Sequence, residues 1–109
     1  MPYRDDMAER MRADLGMQPG LSEKKMFGGL CFMLNGNMVC GVHKGGAMFR
    51  PGKALEQQAL DAGASPLSFT GRPMGGMVEL DEGGFFDDDL RCRLIELSLK
   101  HAQTLPAKT

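Results

Sequence analysis

Tyr3, Met7, Met11 and Leu15 recur at intervals of four, the spacing that stacks side chains on one face of an α-helix. Asp5 and Asp6 suit the positive N-terminal end of such a helix and Gly16 suits its exit, so an amphipathic helix is expected from Tyr3 to Leu15. Gln18-Pro19-Gly20 breaks the pattern, and from Lys24 the period drops to two. Lys25 to Phe27 reads as a short strand and Gly28-Gly29 as a bend or bulge. The apolar runs on either side of Asn35-Gly36 then read as a β-hairpin, because a type I′ turn needs positive φ at both central residues. A two-residue loop there sets Leu34 against Asn37, Met33 against Met38, Phe32 against Val39 and Cys31 against Cys40.

A second turn at Lys44-Gly45-Gly46 leads into Ala47 to Arg50, the next strand of an antiparallel meander. Lys53 to Ala62, with Leu55, Ala59 and Ala62 on one side, reads as a short helix stopped by Gly63. Ala64 to Gly76 is rich in turn residues, with one short strand around Leu67 to Phe69. Met77 to Leu80 alternates and is expected to be a strand ending at Asp81-Glu82-Gly83-Gly84. The last helix has Asp87 as its cap, Asp88 and Asp89 in its first turn, Lys100 and His101 near its end, and Pro106 beyond it. Leu90, Leu94, Ile95, Leu97, Leu99 and Ala102 cover more than a single stripe of that helix. It therefore sits centrally in the domain or also packs on a second copy as a homodimer. The fold class is α+β: helix, antiparallel meander of three to four strands, short helix, one or two further strands, and a C-terminal helix packed on the sheet.

Composition narrows the function classes. A length of 109 residues suits a single domain spanning 1–109, with room for one modest core. The apolar runs are too short to span a bilayer, and Met1-Pro2-Tyr3-Arg4-Asp5-Asp6 lacks the basic start and apolar stretch of a secretory signal, so a cytoplasmic location is expected. A net charge of −1, with basic residues scattered among acids, argues against direct nucleic-acid binding or a membrane-surface role. Three cysteines without CxxC spacing argue against a disulfide framework or zinc knuckle. Packed, reduced thiols are the default for Cys31 and Cys40, and a cross-strand redox pair is the alternative that the hairpin register raises.

Fifteen glycines call for a search for phosphate cradles, yet neither GxxxxGK[ST] nor a strand-to-helix GxGxxG occurs. His43 and His101 have no Ser or Cys in a nucleophile-elbow context. The acids Asp81, Glu82, Asp87, Asp88 and Asp89 lack the alternation of a calcium loop. No catalytic, cofactor-binding or metal-ligating residue is therefore assigned, and the chain is expected not to be an enzyme. Arg72, between Gly71 and Pro73, is either a structural arginine or one that recognises a protein or anionic partner.

Met26-Phe27-Gly28-Gly29, Phe32 to Met38, Lys44-Gly45-Gly46, Phe69-Thr70-Gly71-Arg72-Pro73-Met74, Val78-Glu79-Leu80 and Leu105-Pro106 form an ordered series. That series resembles the N-terminal domain of the TfoX/Sxy competence regulators, over roughly Met7 to Lys108. The resemblance implies a secretion-chaperone-like α+β architecture and a non-enzymatic role, without cofactors. Full regulators of this kind promote transcription of DNA-uptake genes together with the cyclic-AMP receptor protein and carry a second, helical C-terminal domain, which is expected to be absent here. A protein partner, of the cyclic-AMP receptor type by resemblance, is thus expected. The candidate interaction surface is Gly28, Gly29, Asn35 and Gly36 of the hairpin with Phe69, Gly71, Arg72, Pro73 and Met74 of the later loop. The alternative is a small-ligand or anion-binding domain with a pocket between the sheet and the C-terminal helix.

Overall fold

The computed structural model describes residues 3–26, 28–68 and 73–106, with the backbone alone at 68, 73 and 74. Helix α1 (Asp5–Leu15) is followed by strands β1 (Leu21–Met26), β2 (Gly29–Leu34), β3 (Asn37–His43) and β4 (Gly46–Phe49). Helix α2 (Glu56–Ala62), strands β5 (Ser65–Ser68) and β6 (Pro73–Asp81), the one-turn helix α3 (Glu82–Phe85) and helix α4 (Asp88–Gln103) complete the chain. All strand pairs are antiparallel, in one sheet of order β1-β2-β3-β4-β6-β5. The α+β arrangement expected from the sequence is therefore present.

Side-chain alternation divides the sheet into two faces. Leu30, Phe32 and Leu34 of β2, Ala47 and Phe49 of β4, and Val78 and Leu80 of β6 are buried with the helices in the main core. Cys31, Met38, Met48, Leu67 and Met77 are buried together in a second cluster, with Met26 and Met33 packed against it. Successive residues of a pleated strand point to opposite faces, so Cys31 and Met48 leave the main core while their neighbours enter it. Half of the methionines thus share one small cluster with no helix residue in it.

The helices begin and end as their sequence signals require. Asp87 accepts a hydrogen bond from the Leu90 amide at 3.1 Å and caps α4, and the Gly16 amide closes α1 on the Arg12 carbonyl. Asp81 to Gly84, expected as a simple strand end, instead starts α3, because the Asp81 side chain accepts from the Gly84 amide at 2.7 Å. That single turn carries Phe85 into the core. β6 begins at Pro73, four positions before the expected start at Met77, and β1 takes in the polar run Ser22 to Lys25. Pairing with β2 along its whole length makes β1 a strand, while both of its faces remain largely exposed and show no alternation.

Helix α4 packs on β2, β3 and β4 and also meets α1, α2 and α3. Its wide apolar coverage is satisfied within the chain, so the central position explains it and a second copy is not required for it.

The hairpin register differs from the expected one beyond its first two pairs. Leu34 faces Asn37 and Met33 faces Met38, but Phe32 faces Cys40 and Cys31 faces Gly41. Val39 is an extra residue on β3 at this point, and its carbonyl accepts from the Arg50 amide at 2.9 Å. A one-residue slip carries a strand's side chains to the other face, so Cys40 joins the helix-side core while Cys31 stays in the methionine cluster. The expected direct Cys31–Cys40 opposition is corrected accordingly.

Candidate functional site

The hairpin residues picked out in the sequence divide into open and structural positions. Asn35 (φ 53°) and Gly36 (φ 83°) make the left-handed turn, and the Asn35 amide donates to the Gly20 carbonyl at 2.9 Å, tying this turn to the one after α1. Gly29 is buried, and a Cβ there would lie 2.1 Å from the Val42 carbonyl oxygen, so it permits close strand approach rather than partner contact. Gly28 is exposed with open space around it, and Asn35 is exposed at the hairpin tip. Pro73 and Met74 form the first two positions of β6, where Pro73 pairs with Ser68. Phe69, Gly71 and Arg72 lie outside the described residues.

Next to this hairpin, β1 is bonded, among the described residues, to β2 on one side only and forms an edge of the sheet. The guanidinium of Arg12 grips Glu23 with two hydrogen bonds of 2.6 and 2.8 Å and anchors the strand to α1. The Arg12 hydrogen bond also holds the Glu23 carboxyl below its ordinary pKa. Lys24 and Lys25 are exposed, and Met17, in the connection from α1, is fully exposed. An apolar side chain standing free beside a charged sheet edge is the most conspicuous surface feature the residue periodicity did not disclose.

Cys31 and Cys40 are both buried free thiols, and Cys92 is exposed. Burial pushes the Cys31 pKa up to about 11. Burial raises Cys40 as well, with smaller upward contributions from Cys31 and Asp14. Both stay protonated at neutral pH, which makes them poor nucleophiles and favours the packed-thiol reading over the redox pair.

A cleft of about 410 Å³ opens where the end of β4, the loop into α2, the start of β6 and the last turn of α4 meet. Arg50, Lys53 and His101 line it, with Gly52, Gly75 and Gly76 between them. The Gly52 amide donates to the Gly76 carbonyl at 3.1 Å, and the Gly76 amide donates to the Glu56 carboxylate at 2.5 Å. Gly52 has φ +81°, and a Cβ on it would fall 2.4 Å from His101 Nδ1, so the bare backbone is what lets the imidazole close over the loop. Burial lowers the His101 pKa, and the charge of Arg50 lowers it further. The sequence carried little sign of this cleft, because Arg50 and Lys53 sit in the loop after β4 while His101 comes from the end of α4, and only the tertiary fold unites them.

Arg91 is a buried arginine that the sequence reading did not single out. Its guanidinium donates to Asp14 at 2.5 Å and to the Phe85 carbonyl at 2.9 Å, and pairs with Asp88 at 2.9 Å. Burial pulls its pKa down, yet the hydrogen bonds to Asp14 and Asp88 outweigh that and leave it raised. Its position on the inner face of α4, among Leu90, Leu94 and Ile95, was the available signal. This network joins α1, α3 and α4 and is structural. Among the described residues, no group of three His, Cys, Asp or Glu side chains could hold a metal ion, and no helix is long and apolar enough to cross a membrane.

Comparison with known proteins adds one finding. The family model described as the TfoX N-terminal domain matches residues 14–102. Searches against curated proteins and solved structures return no match.

Proposed function

Since the chain belongs to the TfoX N-terminal domain family, we propose that it is a non-enzymatic protein-interaction module that serves transcriptional control of competence through a partner of the cyclic-AMP receptor type. The observation that supports this reading best is the open edge of β1, with the exposed Met17 in the connection that leads into the strand. An open edge accepts an added strand through main-chain hydrogen bonds, while side chains on either side select the partner. Lys24 and Lys25 discourage indiscriminate edge-to-edge pairing and favour a partner segment with acidic residues. Gly28, in the β1–β2 turn, and Asn35, in the β2–β3 turn, are exposed at the two opposite ends of β2 and offer further contacts. Direct DNA binding has no part in the reading, given a net charge of −1.

Biolayer interferometry against a purified cyclic-AMP receptor protein, with its nucleotide bound, tests the proposal. Wild type is expected to bind, and the combined Met17→Asp, Lys24→Glu and Lys25→Glu changes are expected to weaken binding at least about tenfold, or ~1.4 kcal/mol. No binding by folded wild-type protein overturns the partner class. Binding that survives these changes but is lost in Arg72→Ala or Phe69→Ala moves the surface to the later loop.

A further inference from the structure

We propose that the cleft between the β4–α2 loop and the end of α4 binds a small phosphate-bearing metabolite, with Arg50 and Lys53 holding the phosphate and His101 closing over it. Three observations carry the assignment. The first is charge: among the described residues, every ionisable side chain lining the cleft is basic, and none of the ion pairs found uses Arg50 or Lys53. The acid nearest in the chain, Glu56, turns to the Gly76 amide and does not line the cleft. Two cations that line one cleft repel each other, and an anion bound between them relieves that repulsion.

The second observation is shape. A volume of about 410 Å³ lies within the roughly 300–1,000 Å³ of small-ligand sites and leaves room beyond the phosphate for the rest of a metabolite. Gly52, Gly75 and Gly76 let the cleft walls pack closely, since a Cβ on Gly75 would press on Lys53 Cε at 3.1 Å and one on Gly76 on the Lys53 amide nitrogen at 3.1 Å. The third is support. Gly52 and Gly76 are hydrogen-bonded to each other, and β4 and β6 are adjacent in the sheet, so the charges stand on a rigid frame. Arginine supplies the planar fork that matches phosphate oxygens, and lysine supplies a point charge.

His101 is the built-in reporter. Its ring is held neutral at physiological pH by burial and by Arg50, and an anion in the cleft stabilises the imidazolium. Titration of inorganic pyrophosphate, followed by calorimetry and by the His101 ring resonances, tests the site. Saturable binding is expected, with the His101 pKa rising on addition of pyrophosphate. Lys53→Gln, an exposed position whose change leaves packing intact, and Arg50→Gln are each expected to weaken binding roughly tenfold or more, the loss appropriate to a charge-assisted hydrogen bond. Lys24→Gln on the distant edge strand is expected to leave it unchanged. Absence of saturable heat and of any His101 response overturns the proposal. So does equal weakening by Lys24→Gln, which would mark diffuse surface charge, or a response to duplex DNA where pyrophosphate gives none. Because the receptor-protein assay reads a different surface, the two proposals fail independently.

Discussion

At the residue scale the cysteines show how far a local pattern reaches. Asn35-Gly36 sets the turn and the first two pairs, and the extra Val39 then turns Cys31 and Cys40 toward opposite faces of the sheet. With both thiols buried and raised in pKa, the folded protein is expected to take up one equivalent of iodoacetamide rapidly, at Cys92, and three in denaturant. Mass spectrometry counts the adducts and peptide mapping places them. A Cys31–Cys40 disulfide after mild oxidation would contradict the observed register. The bulge was hidden because an inserted residue of the same apolar kind, such as Val39, leaves the hydrophobic run looking continuous.

At the scale of elements, the strong local signals were the reliable ones. The four-residue spacing of α1 and the Asp87 cap of α4 appear where expected, since each depends on contacts inside one helix. The polar edge strand β1 and the single turn α3 depend on β2 and on the core around Phe85, and neither has a period of its own. Arg91 of α4 ties α1 and α3 to its own helix, with its guanidinium buried and Asp14 largely so. Arg91→Ala is expected to lower stability by about 3 kcal/mol, because Asp14 loses its partner where water reaches it poorly. The double change Asp14→Leu, Arg91→Met is expected to lie closer to wild type than Arg91→Ala, since no charge is then left unpaired. Urea unfolding curves for the variants measure both, and a double variant less stable than Arg91→Ala would show the pair to be more than mutually compensating.

For the whole molecule, the depressed ionisable groups set the pH response. Below its ordinary pKa of 6.5 the unfolded chain protonates His101 more readily than the folded one, so the stability this group supplies is present above that pH and lost as pH falls through the depressed value. Glu23, held down by Arg12, adds a second loss once pH falls below 4.5. Unfolding midpoints at about pH 7.5, 5.5 and 3.5 should therefore decrease in order. His101→Gln should flatten the first interval alone, and a flat wild-type profile there would contradict the assigned burial. By itself the sequence determined α1, α2 and α4, the hairpin turn, the α+β class and, through an ordered series of motifs, the family, because these rest on near neighbours in the chain and on pattern. Only the tertiary structure decided the sheet order, the bulged register, the free edge at β1 and the meeting of Arg50, Lys53 and His101. Those features depend on which distant segments pack together, and that is set by burial summed over the whole chain rather than by any one stretch of it.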